Sequence, residues 1–251
     1  MNVKDMVEAN TILKIKVGSE LYGTSIVGVS DIDYFGVCIP TKDYILGTQK
    51  FELLEERTNP SSSGKRNTKY DSDFTCYSLQ KYFKLLSDNN PNVLETLFVN
   101  KENIIYSNRA AKEILTYKHI FLSKRAYYKF SGYAHAQKRK LLTKESMGLR
   151  KEIVDKYFYD TKYAGHLLRL LLFGIELLDT GSIKFPTDWA KYLIQIKKGE
   201  WPFSHIIDKA TYLEEQLVNA YNHTKLPELP DLEAINKLQI KLIEGHWSNN
   251  N

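Results

Sequence analysis

The chain has 251 residues, of which 43% are apolar and 26% charged, and a formal net charge of +5. This is enough chain to bury a sizeable core as one domain or two, and the balance is that of a globular protein rather than a disordered or fibrous one. The longest apolar run, LLRLLLFGIELL, is broken by Arg169, Gly174 and Glu176 and falls short of the roughly 20 residues a membrane-spanning helix needs, so no membrane partner is expected.

The opening MNVKDMVEAN has no basic segment followed by an apolar one, and a cytoplasmic location is expected. TILKIKVGS, residues 11 to 19, alternates apolar and polar residues as a strand does and ends on a glycine turn. IDYFGVCIP predicts a second strand, stopped by Pro40, and DSDFTCYS a short third one. Cys38 and Cys76 fall in these strand-like contexts and are expected to be reduced core residues, two cysteines being too few for a zinc site. Between residues 56 and 70 almost every residue is polar, which predicts a loop. Its Arg57, Lys65, Arg66 and Lys69 suit a solvated hairpin tip better than a polyanion contact.

SLQKYFKLLSD then spaces Leu79, Tyr82, Phe83 and Leu86 at helical intervals behind Ser78 as N-cap, and NNPNVLETLF predicts a turn and a short helix. From about residue 104 apolar residues recur every three or four positions through four long segments, with Gly181 as a helix stop and Pro227 and Pro230 before a last helix. The expected class is α+β: a small mixed sheet with helices over residues 1–100, then an all-helical region over 101–251. Seventeen tyrosines beside 35 lysines and arginines suit a nucleic-acid surface, but they suit a solvated lysine surface with half-buried tyrosines at least as well.

The chemistry gathers at KVGSELYGTSIVGVSDIDYFGV. Gly18 lets backbone N–H groups approach an anion closely, Ser19 adds a hydroxyl, and a helix starting there would add partial positive charge. Asp31 and Asp33, two residues apart on a strand, point to one face, where their repulsion asks for a cation between them. Mg²⁺ binds through one or two carboxylates together with substrate phosphates, so a phosphate cradle followed by this pair outlines a metal–nucleotide site. Two-metal chemistry wants a third carboxylate, and YDSDFTCYSL offers Asp71 or Asp73 on a shared face, with Asp73 nearer the β-rich FTCY. Lys162, His166 and Arg169 stand at i, i+4 and i+7 on one face of a largely apolar predicted helix. They would meet a nucleotide's phosphates or the carboxylate trio, or else face solvent or pair with structural acids such as Asp160. Lys138, Arg139 and Lys140 read as a solvated helix face, and Glu95 as a structural ion-pair or capping residue. Tyr22 is placed to stack on a base or to pack.

GSELYG followed by SDIDYFGV resembles the signature of the DNA polymerase β-like nucleotidyltransferase superfamily. It is particularly similar to the predicted nucleotidyltransferases of the RNA-repair-associated type from bacteria and phages. DFTCYSLQKYFKLLSDNNPNVLETLF and DTKYAGHLLRLLLFGIELLDTG are similar to later segments of that family, so the likeness lies between residues 11 and 181. The resemblance implies a nucleotidyltransferase core at residues 1–100 and an enzyme that moves a nucleoside monophosphate from an NTP such as ATP to a hydroxyl acceptor, RNA or tRNA being one choice. It implies that Gly18 and Ser19 bind the triphosphate, with Tyr22, Lys162, His166 and Arg169 beside the nucleotide. Asp31 and Asp33 would ligate Mg²⁺ or Mn²⁺, and the match at DFT favours Asp73 over Asp71 as third ligand and base. The alternative within the superfamily is a catalytically idle nucleotide- or RNA-binding regulatory module.

Overall fold

The structure, a computed structural model, describes residues 2–59, 68–143 and 150–249. Lys65 and Arg66 of the predicted polar loop lie outside the described residues.

The chain opens with α1 (Val3–Asn10), β1 (Thr11–Val17), α2 (Gly18–Tyr22), β2 (Ile32–Cys38) and α3 (Lys42–Ile45). Then come β3 (Leu53–Arg57), β4 (Ser72–Ser78), α4 (Leu79–Ser87), α5 (Pro91–Leu94) and β5 (Ile104–Ser107). The remainder is helical: α6 (Arg109–Thr116), α7 (Arg125–Leu142), α8 (Lys151–Tyr157), α9 (Thr161–Thr180), α10 (Ala190–Lys197), α11 (Phe203–His223) and α12 (Leu232–Asn249). The class is α+β, a five-stranded mixed sheet in the order β3-β4-β2-β1-β5 with helices toward the C-terminus.

β1, β2 and β4 form where alternation and β-branched residues predict them. Two further strands do not follow from the pattern. β3 comes from the charged LLEER and takes up Arg57, which the polarity of residues 56–70 assigns to a loop. Its alternating exposure is that of an edge strand with one wet face, which tolerates charge. β5 is only four residues long and lies at 104–107, beyond residue 100. It forms the other edge by pairing with β1.

The helix signals act as the sequence suggests. The Ser78 hydroxyl accepts from the Lys81 N–H at 3.2 Å to cap α4, and Gly181 closes α9 in the left-handed conformation at φ 68°. Asp160 caps the start of α9, and a left-handed Phe158 (φ 67°) separates that helix from α8. One face of the sheet and the helices share a single buried core, in which Ile15, Phe35, Phe83, Phe121, Phe173 and Leu213 all take part. On the other face Met6 and Val7 of α1 pack with Cys38 and Cys76, both buried and free.

Candidate active site

The backbone turn at residue 18 sets the site. β1 ends at Val17, and α2 starts directly at Gly18 with φ +61°, a conformation an L side chain rarely adopts. A Cβ there would lie 2.4 Å from Oδ2 of Asp33, so glycine is also what lets that carboxylate sit against the turn. Asp33 is held opposite Val17 by the antiparallel β1–β2 ladder. β2 and β4 run parallel, and their register places Asp33 directly beside Asp73. Adjacent register positions share a face. Asp31 lies one residue before β2, and all three carboxylates line one cavity of about 680 Å³.

Asp71 is elsewhere. It is half-buried, does not line the cavity, and accepts from the Thr68 N–H at 2.7 Å, the Thr68 hydroxyl at 2.9 Å and the Thr58 hydroxyl at 3.1 Å, which holds its carboxyl below the usual range. It ties the entry to β4, while Asp73 faces the cavity.

The other predicted residues Gly18, Ser19, Tyr22, Lys162, His166 and Arg169 line the same cavity, so one turn of β-sheet and one face of α9 meet there. Their chemical states differ. Arg169 is buried and committed: it donates to Glu95 Oε2 at 2.8 Å and to Asn92 Oδ1 at 3.4 Å. The Tyr22 hydroxyl donates to the other Glu95 oxygen at 2.5 Å, and its ring lies 4.7 Å from the Arg169 guanidinium and 5.5 Å from Phe173. Burial pushes the Tyr22 phenol well above its ordinary range, so it stays a donor. Tyr22 and Arg169 therefore form the packed floor of the cavity. Glu95, expected from the sequence to be an ion-pair or capping residue, is their shared partner, so of the two the ion pair is what forms. Asp160 pairs with Arg150 and caps α9, accepting from the Lys162 N–H at 2.9 Å.

His166 is kept neutral. Burial, then Arg169, Lys162, Arg150 and Lys197, lower its pKa to about 3. Asp33 is pushed the other way, up to about 6, by burial and by the charges of Asp31 and Asp73, with Lys162 and Lys197 opposing. Lys197, at the end of α10, donates to the Thr24 carbonyl at 3.1 Å and reaches this field from a segment no sequence motif marks. Arg57 stands 4.0 Å from Asp73 Oδ2.

Among the described residues no three His, Cys, Asp or Glu side chains close up into a metal site by themselves. Mg²⁺ does not require that, because phosphate oxygens and water complete its shell. An all-carboxylate donor set suits a hard cation, and Oδ1 of Asp73 is buried without a hydrogen-bond partner, an acceptor awaiting a positive group. The residues fit the ion.

A mixed sheet that delivers carboxylates from β2 and β4 beside a Gly-Ser helix start is the arrangement of a polymerase β-like nucleotidyltransferase. The model of RlaP, the RNA repair pathway DNA polymerase beta family, matches residues 2–241, and the chain belongs to that family. An uncharacterized 38.9 kDa protein from the nrdC–mobD intergenic region of Enterobacteria phage T4 is 37% identical over 99 residues. That stretch is 39% of this chain and 28% of the phage protein. The crystal structure of a nucleotidyltransferase-like protein from Exiguobacterium sibiricum 255-15 aligns with 98% of this chain and 75% of that one, at 12% identity and a TM-score of 0.30. Family membership supports a role in nucleotidyl transfer. No helix among the described residues is long and apolar enough to cross a membrane.

Proposed function

We propose that the protein is a metal-dependent nucleotidyltransferase that moves a nucleoside monophosphate from an NTP to a hydroxyl, an RNA end being the acceptor in keeping with the family. The observation that carries this reading is the in-register pair Asp33–Asp73 facing one cavity with Asp31, next to a glycine turn whose φ of +61° an L side chain rarely adopts.

Asp31, Asp33 and Asp73 would hold Mg²⁺ or Mn²⁺, which when bound neutralises phosphate charge and increases the acidity of the acceptor hydroxyl. The rest falls to the chain. Backbone N–H groups at Gly18 and Ser19 and the Ser19 hydroxyl seat the triphosphate, and Lys162 and Lys197 meet its negative charge. Neutral His166 can donate to or accept from the nucleotide without adding charge. The acceptor oxygen forms a bond to the α-phosphorus, the bond to the β-phosphate bridge breaks, and pyrophosphate leaves. The hydroxyl proton passes to the Asp73 carboxylate and then to water.

The test supplies each NTP, labelled on its α-phosphate, with Mg²⁺ and total RNA. Transfer of label with pyrophosphate release is expected, and its disappearance in the folded Asp31→Asn/Asp33→Asn protein. A double variant that keeps full transfer would overturn the assignment, and metal-dependent NTP binding without any transfer would indicate the idle module instead.

A further inference from the structure

Strand alternation puts Asp33 and Asp73 on one face of the sheet and Tyr34 and Phe74 on the other. That second face divides in two. Its far half is covered by α1, with Met6 and Val7 against Cys38 and Cys76. The half beside the catalytic end of the strands carries Lys14, Lys16, Tyr34 and Tyr106, with Phe74, half-buried against the α1 cluster, at the boundary. The Lys14 ammonium lies 4.8 Å from the Phe74 ring centroid and 5.3 Å from that of Tyr34. The register sets Lys16 opposite Tyr34 and Lys14 opposite Tyr106, and directly opposed residues of an antiparallel pair share a face. Tyr106, on the β5 edge, is 50% exposed. Glu56, opposite Phe74 on β3, is paired with Lys4 at 2.8 Å.

A lysine laid over rings to shield them from water accounts for Lys14. It does not account for a second lysine two residues on and an exposed tyrosine across from the first. Cations spaced along a strand beside aromatic rings that keep part of their surface, here half-buried Tyr34 and exposed Tyr106, are what a single-stranded nucleic acid uses: phosphates meet the ammonium groups and unpaired bases stack on the rings. Tyr34 also lines the cavity, so the platform runs up to the mouth of the site.

We propose that this half of the outer sheet face binds a single-stranded nucleic-acid segment whose end turns past Tyr34 into the cavity. The role of that end rests on the nucleotidyltransferase reading; the binding does not. The experiment uses fluorescence anisotropy of the whole protein with a labelled mixed-sequence RNA of about 12 nucleotides, within the span such surfaces cover. Lys16→Glu should weaken binding about tenfold and flatten the dependence of log K on log salt by about 0.7 for the lost phosphate contact. Tyr106→Ala, on an exposed edge and safe for folding, should weaken binding at least fivefold with the salt slope kept. Both should retain the thermal shift given by NTP and Mg²⁺. Wild-type affinity in both variants would overturn the proposal, as would a duplex or an acidic peptide competing as well as the single strand. Loss of RNA binding in variants of a protein that transfers no label would uphold the surface and refute the transferase. Transfer with RNA affinity untouched by the variants would do the reverse.

Discussion

Asp33 and Asp73 face each other across the parallel β2–β4 ladder, fixed by main-chain register rather than by any contact of their own. Two like charges in such a position are held against their repulsion by backbone hydrogen bonds, and their spacing cannot relax without unzipping the sheet. The site's electrostatic demand for a cation is therefore part of the fold.

The two aspartates of DSD separate cleanly in this geometry. Asp73→Asn should abolish transfer while leaving the melting temperature close to wild type, because Oδ1 has no hydrogen-bond partner and Oδ2 has only the long, solvent-screened approach of Arg57 to lose. Asp71→Asn should keep activity within a few-fold, since that carboxylate serves the Thr58–Thr68 turn. Parallel label-transfer assays decide it, and equal losses in the two variants would contradict the placement.

Gly18→Ala should be more damaging than its size suggests. Its Cβ would fall 2.4 Å from Asp33 Oδ2, in a backbone conformation that already disfavours it. The expected stability loss is about 1 kcal/mol or more, with nucleotide-plus-metal binding weakened at least tenfold as Asp33 is displaced. Denaturant melts and NTP titrations measure the two effects separately.

Asp33 makes stability depend on pH in a definite direction. Its carboxyl is raised from 3.8 to about 6 in the folded protein, so protonation favours the fold. That contribution is complete below about pH 3.8 and is lost as pH rises through about 6. At pH 8 in chelator, Asp33→Asn should be more stable than wild type by on the order of 1–2 kcal/mol, discounted for the partial exposure of the group. The advantage should vanish toward pH 4. A variant no more stable than wild type at pH 8 would remove the repulsion argument.

The Glu95–Arg169 pair predicts a large cost for a non-ligand change. Glu95→Ala strands a buried guanidinium and should destabilise by about 3–5 kcal/mol, whereas Glu95→Gln, whose oxygen still accepts from Arg169 while its amide can donate to the Tyr22 oxygen, should cost less. Thermal melts rank the two variants, and equal costs would show that the lost charge, and not the hydrogen bonds, is what holds the pair.

Lys197 offers a milder change. Lys197→Met should weaken NTP binding five- to tenfold with the fold intact, read by titration in Mg²⁺. An unchanged affinity would place the ammonium outside the triphosphate's reach.

Much of this was legible before any coordinates. Periodicity located β1, β2 and β4, and the Gly-Ser turn and the aspartates needed only strand alternation to fall on one face. Lys162, His166 and Arg169 were readable as one helical stripe. What they touch was not, because Glu95 is 74 positions from Arg169 and nothing in VLETLF distinguishes a floor residue from a cap. β3 was hidden because an edge strand tolerates the charges of LLEER, and β5 because four residues show no period. Lys197 reaches the site only because α10 packs beside α9, a tertiary event with no local signal.

Glu95 comes from the segment after α5, and Arg169 from the middle of α9. Their buried pair thus rivets the sheet-bearing half of the chain to the helical half at the base of the cavity. Parting them would leave opposite charges stranded in apolar surroundings, so the base is the costliest part of the cavity to open. Lys162 and Lys197 line the same cavity from α9 and α10, outside that pair.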